Sequence, residues 1–307
     1  MSVEFTHVPT IGSRHLSQCL SSDRDARVLR LALEGMFRTL VVDGPAGILT
    51  NMDVAAELAR TTASVGIALT HWSGVIHPLV AAQQIAELDR FSGSRLSLRF
   101  LLGPDGRAGN GADQLGHAEA LRQTDEYLVL LKRLWSNDRP FDHEGPHYSV
   151  RDGFVERKGP QGPDITIRMG GVSGIAIDVA GRHATVFELT PGTPEEIRDL
   201  MERVEAAATR YGRAGKIRFA LPVHLHPRQP VKLSMPVAAP VPDSPSRIIQ
   251  TLLGYSWLGI SEFMLSGLDD EDSLEAFAHN IAPVFERTVP FRTPRRQLPG
   301  PAGLWAN

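Results

Sequence analysis

A glycine-rich run, Gly170-Gly171-Val172-Ser173-Gly174, follows the apolar stretch at residues 165–169. Glycines let a backbone approach a phosphate closely. A helix opening just after such a turn adds free N–H groups and the positive end of its dipole. Gly170, Gly171, Val172 and Ser173 are therefore candidate anion-binding residues; the plainer alternative is a tight turn with a serine cap. His224, in Val-His-Leu-His, ends another apolar run. Histidine titrates nearest neutrality, so this side chain suits proton transfer, unless it is simply packed or solvated. His226, two residues on, has the weaker claim. His71, beside Trp72, closes a third run, and Glu188 closes a fourth. Glu188 is a candidate base or substrate contact, or the partner of a nearby arginine. Arg99 interrupts the apolar run at 96–102. A charge on a central parallel strand does not suit a surface position, and turned inward it would stabilise an anionic group.

These residues need a scaffold that brings strand ends together. Short β-branched and apolar runs alternate with longer amphipathic ones, which is the pattern of βα units around a parallel sheet. The strand-like runs are 4–9, 39–43, 65–70, 96–102, 165–169, 185–190, 217–225 and 262–266. Eight runs without a break in composition predict one closed (β/α)8 barrel over residues 1–290, with an arm rich in proline and arginine at 291–307. Helices are expected at 78–91, 118–135, 193–211, 246–258 and 272–287. The third opens Thr-Pro-Glu-Glu, a cap, a first-turn proline and two dipole-favourable acids. From Pro227 to Pro242 the chain has five prolines, so the link from the seventh strand to the eighth is expected to be a shortened, extended loop.

Composition narrows the function classes. The 307 residues carry a net charge of -3 and no lysine or arginine stripe, which argues against nucleic acid. No apolar run reaches the length of a membrane span, and the first residues do not read as a signal peptide. Cys19 is the sole cysteine, so no disulfide forms within the chain, no cysteine-based metal site is expected, and a reducing cytoplasm fits. The acidic stretch at 269–275 reads as the first turn of the last helix, not as a metal site. On the helix at 78–91, Ala81, Ala82 and Ala86 make a small-residue face that suits close approach of a second helix, and a homodimer is expected.

Four stretches, in order, resemble the bacterial luciferase-like flavin monooxygenases: FTHVPT with GSRH; HPLVAAQQIAELDRFSGSRLSLRFLLG; EYLVLLKRLWSNDRPFDHEGPHYSV; and PDITIRMGGVSGIAIDVAGRHATVFEL. Two later stretches, IRFALPVHLHPR and SRIIQTLLGYSWLGISEFMLSG, resemble the alkanesulfonate monooxygenase branch. The resemblance implies a TIM barrel and reduced FMN supplied by a separate flavin reductase. It also implies that O2, activated on that flavin, oxygenates a small organic substrate. A sister group uses the deazaflavin F420 for hydride transfer, and non-catalytic flavin-binding relatives are a third possibility. The resemblance puts the FMN phosphate at Gly170, Gly171, Val172 and Ser173, counts Arg99 and Gly103 with the cofactor-binding residues, and gives His224 an active-site role. His71 and Glu188 join it as catalytic candidates. His7 stands where the family usually has an aromatic residue. The sequence departs from the branch at Pro222, Ile48 and Leu268, where arginine, cysteine and tyrosine are usual, and the arginine-bearing lid is missing. A sulfonate needs a fixed cationic clamp; its loss implies a less anionic substrate.

Overall fold

The computed structural model describes residues 3–9, 37–43, 48–100, 114–225, 239–240, 244–268 and 271–288. Eight parallel strands close on themselves: β1 (Glu4–His7), β2 (Thr39–Val42), β3 (Gly66–Thr70), β4 (Leu96–Phe100), β7 (Thr166–Gly170), β8 (Val186–Glu188), β9 (Arg218–His224) and β11 (Glu262–Ser266). The last pairs with the first, Glu262 opposite Glu4 and Phe263 opposite Phe5, and β8 pairs with β9 to complete the ring. This is the expected (β/α)8 barrel, and its eight strands overlap the eight apolar runs.

Two further short pairings lie outside the ring. A hairpin, β5 (Phe141–Glu144) with β6 (Ser149–Gly153), stands between β4 and β7. The sequence reading missed it; the signal was the alternation in Phe-Asp-His-Glu and Ser-Val-Arg-Asp around Gly-Pro. The two-residue strand β10 (Ala239–Pro240) pairs with Val223 and His224. The rest of the proline-rich link lies outside the described residues, as do Cys19, Gly103, His226 and the C-terminal arm.

The helices are α1 (Ile48–Thr61), α2 (Pro78–Ser92), α3 (Gln114–Ser136), α4 (Gly174–His183), α5 (Pro194–Arg210), α6 (Pro245–Leu258), α7 (Glu271–Asn280) and α8 (Ala282–Thr288). α5 starts as its sequence predicts: Thr193 accepts from the Glu196 backbone N–H, and the Glu196 side chain accepts in return from Thr193. α6 is capped by Ser244 with Pro245 in its first turn. α1 had no counterpart among the expected helices. The single helix expected at 272–287 is instead two, broken at Ile281. Pro283 explains the break, because it lacks the N–H that would continue the helix ladder and fits only a first turn. Among the described residues no helix is long and apolar enough to cross a membrane.

The strands alternate in what they bury. Leu98, Phe100, Ile167, Met169, Phe187, Leu221, Val223, Phe263 and Leu265 point outward into one large core shared with the helices. Phe5 and Phe263 meet Phe285 of α8, and Phe5 meets Phe277 of α7 edge-on at 5.2 Å. Inside the ring, Val8, Val41, Ala68, Val186, Ala220 and Met264 form a separate small cluster. The alanine face of α2 is spent within the chain: Ala81, Ala82 and Ala86 are buried, and Trp135 of α3 donates its indole N–H to the Ala82 carbonyl at 3.0 Å. That face packs within the chain, with α3 the close neighbour at Ala82. The side chains α2 leaves outside include Val80 and Phe91.

Candidate functional site at the barrel mouth

Inward-facing positions on barrel strands are ordinarily apolar layers. Here they hold a chain of charges. Arg99 on β4 is fully buried, and its Nε lies 2.9 and 2.8 Å from the two carboxylate oxygens of Glu188 on β8. Those strands are not neighbours, because β7 runs between them, so the pair crosses the interior. Nη1 of Arg99 reaches Asp43, just past β2, at 3.1 Å and the Thr70 hydroxyl at 3.4 Å. Glu188 also accepts from Arg168 Nε at 3.4 Å, and Arg168 donates through Nη2 to Glu262 on β11. Thr6 on β1 donates to the same Glu262 oxygen at 2.5 Å.

Electrostatics explain why this arrangement holds its charge. Arg99 and Arg168 are register partners on adjacent strands, and two adjacent buried cations repel. Glu188 accepts from both. Burial pulls the Arg168 pKa down, but the charges of Glu262 and Glu188 and their hydrogen bonds more than offset it and leave it raised. Burial pushes the Glu262 carboxyl up, but the Arg168 charge and hydrogen bond, with the Thr6 hydroxyl, leave it lowered. Both groups are therefore ionised in the folded protein. Of the readings open for Glu188, partner of an arginine is the one this geometry displays, twice over.

His224 ends β9, 92% buried, with Nδ1 3.1 Å from the Ser266 hydroxyl at the end of β11. Its Nε2 is buried and meets no polar partner among the described residues, and the same is true of Nη2 of Arg99 and of Nε1 of Trp72, two residues after β3. Buried polar atoms are nearly always paired, so these three orphans near the carboxyl ends of β9, β4 and β3 each call for a ligand or water there. Pro222 faces the same interior. It follows the last β8–β9 register pair, Glu188 with Ala220, and precedes the pairing of Val223 with β10, so its missing N–H falls between the two.

The glycine turn leaves the same end of the barrel. A side chain at Gly170 would put its Cβ 2.8 Å from the Glu188 carbonyl oxygen, and Gly171 has φ +131°, so both positions require glycine. Ser173 caps α4, its hydroxyl accepting from the Ala176 N–H at 3.2 Å. Gly174 opens onto space, and Val172 is exposed. The expected turn, serine cap and helix are all present.

His71 is not brought to this mouth. Its ring turns outward from the end of β3, with Nε2 2.7 Å from the Tyr127 hydroxyl of α3 and the ring against Phe100. Burial lowers its pKa to about 4, so it is neutral at physiological pH. His7 likewise faces out, its ring tilted against Phe37 and its Nε2 3.1 Å from the Leu268 carbonyl. Sequence reasoning passed over Arg168, Glu262, Asp43, Thr6 and Ser266. The signal for the first two was the one applied to Arg99, a charge inside an apolar parallel strand. No group of three or more histidine, cysteine or acidic side chains that suits a metal exists among the described residues.

Known proteins share this architecture. The chain superimposes on a long-chain alkane monooxygenase with a TM-score of 0.78 at 14% identity, covering 97% of this chain and 94% of that one. A riboflavin lyase solved with modified FMN and riboflavin gives a TM-score of 0.74 at 16% identity, covering 94% and 92%. A coenzyme F420-dependent tetrahydromethanopterin reductase from Methanopyrus kandleri gives 0.70 at 16% identity, covering 93% and 100%. At such identities the likeness establishes the fold, while the family rests on the sequence. The profile of the luciferase-like monooxygenases matches residues 36–231, nearly two thirds of the chain, and the protein belongs to that family.

Proposed function

We propose that this protein is the oxygenating component of a two-component flavin monooxygenase. It takes reduced FMN from a separate flavin reductase and uses O2 to oxygenate a small organic molecule. Within the family we relate it to the alkanesulfonate branch, with a substrate less anionic than a sulfonate. Among the described residues the interior cations Arg99 and Arg168, partners in register, are already held by Glu188, Asp43 and Glu262. The observation that carries the reading is the set of buried, unpartnered nitrogens on Arg99, His224 and Trp72 at one end of the barrel.

Those residues fit a flavin. The turn at 170–174 and the opening of α4 would hold the phosphate through backbone N–H groups and the helix dipole. Nη2 of Arg99 is a fixed donor for an anionic ring, kept in place by Glu188. Bound reduced FMN would supply the electrons that activate O2, one oxygen atom passing to the substrate and the other leaving as water. His224 holds or moves a proton at Nε2, and the buried walls keep bulk water from that atom.

Flavin identity is tested directly. The purified protein, titrated with reduced FMN and with reduced F420, should bind FMN more tightly and consume O2 when reduced FMN is supplied. Binding of F420 alone would replace the reading with a hydride-transfer enzyme of the same fold. FMN binding without O2 consumption, across a substrate panel, would make the chain a non-catalytic flavin carrier.

A further inference from the structure

We propose that Ser266 is a positioning residue that fixes the tautomer of His224 and so makes Nε2 a proton acceptor. The inference rests on the reading of His224 as the residue that handles a proton, and deepens it. Ser266 ends β11, 2% exposed, one strand away from His224 and opposite it in register. Among the described residues its hydroxyl has two polar neighbours: Nδ1 of His224 at 3.1 Å and the carbonyl oxygen of Val223 at 3.4 Å. A carbonyl only accepts, so a hydroxyl that gives its hydrogen to Val223 turns a lone pair toward His224. Nδ1 must then carry the ring proton, and Nε2 is left with the lone pair. That nitrogen is the buried one with no protein partner among the described residues.

The consequence is chemical. A neutral imidazole held this way cannot donate from Nε2; it accepts. The group that meets it must bring a hydrogen; where that group is the substrate, it is an alcohol, phenol or amine whose O–H or N–H lies at the reacting position. When Nε2 takes that proton, the ring becomes an imidazolium with Nδ1–H still on the Ser266 oxygen. The positive charge thus stays hydrogen-bonded on its far side until the proton is returned.

The test separates the tautomer from the catalysis. Protein labelled with 15N-histidine is examined at about pH 8, above the unperturbed histidine pKa of about 6.5, with His224→Gln to assign the signal. The expected wild-type spectrum has protonated Nδ1 and unprotonated Nε2. Ser266→Ala should lose that pattern, and Ser266→Thr, which keeps a hydroxyl, should restore it. Turnover in Ser266→Ala should fall roughly tenfold with KM within a few-fold. A wild-type ring protonated at Nε2, or an unchanged pattern in Ser266→Ala, overturns the proposal. If the pattern changes as expected but His224→Ala keeps full turnover, the tautomer assignment stands and the catalytic reading of His224 falls.

Discussion

Arg99 and Glu188 stand 89 residues apart in sequence and meet inside the barrel, the arginine Nε within 2.9 Å of both carboxylate oxygens. Neither side chain has water to fall back on, since Arg99 is fully buried and Glu188 is 4% exposed. Removing one member of a buried pair strands the other charge in a low-dielectric interior. Because Glu188 serves both Arg99 and Arg168, Glu188→Ala should lose about 3–5 kcal/mol of stability in urea denaturation. A loss below about 1 kcal/mol would mean that water or a neighbouring acid replaces the carboxylate.

The phosphate reading makes a prediction at Ser173. Aspartate is as good a helix cap as serine, so Ser173→Asp keeps the bond to the Ala176 N–H and adds one negative charge beside the turn. Reduced-FMN affinity should fall at least tenfold, roughly 1.4 kcal/mol, with the melting temperature unchanged. Gly171 is the poorer probe, because φ +131° would strain any replacement whatever its charge. Unaltered affinity in Ser173→Asp puts the phosphate elsewhere.

His224→Ala should lower turnover by roughly 10²-fold while leaving FMN affinity within a few-fold. The competing role is structural, a ring packed beneath the proline-rich link that follows β9. In that case the variant loses melting temperature and keeps its turnover. Both are read on one preparation, and near-wild-type turnover removes His224 from the chemistry.

His71 predicts a pH dependence. Its folded pKa, about 4 through burial, lies below the unfolded value of about 6.5. Between the two the unfolded chain binds the extra proton, so acidification through that window favours unfolding, and stability rises with pH from about 4 to about 6.5. At about 1.4 kcal/mol per pKa unit, the loss attributable to this ring reaches roughly 3 kcal/mol. His71→Gln, which retains a polar group for Tyr127, should flatten the curve of stability against pH across that window. Parallel curves for variant and wild type would show that the ring titrates normally.

Assembly is a separate expectation. Val80 and Phe91 stand exposed on α2, 43% and 54%, on the side opposite the buried alanines. Light scattering should give twice the 33.5 kDa chain mass, and Phe91→Asp should lower it. A wild-type mass of a single chain would rule the homodimer out.

Much of the scaffold is visible in local pattern. The strand runs, the Thr-Pro-Glu-Glu helix start and the glycine turn each depend on neighbours a few residues away, and each appears where the pattern puts it. The misses are of two kinds. The break at Ile281 needed only more weight on Pro283. The fate of Ala81, Ala82 and Ala86 needed three dimensions, because a small-residue face says that something packs closely but not whose helix it is.

The sequence by itself determined the order of the eight barrel strands, the barrel and the residue types at the strand ends, since hydrophobic periodicity and capping are short-range properties of the chain. Only the tertiary structure decided which of those residues face one another. His71 and Thr70 are adjacent, yet one turns out to Tyr127 and the other in to Arg99, because successive strand residues point to opposite faces. Glu188 became the partner of two arginines, and His224 the neighbour of Ser266, only once the eight strands closed. Ring closure brings residues from distant segments into one dry interior, where a charge must find a partner.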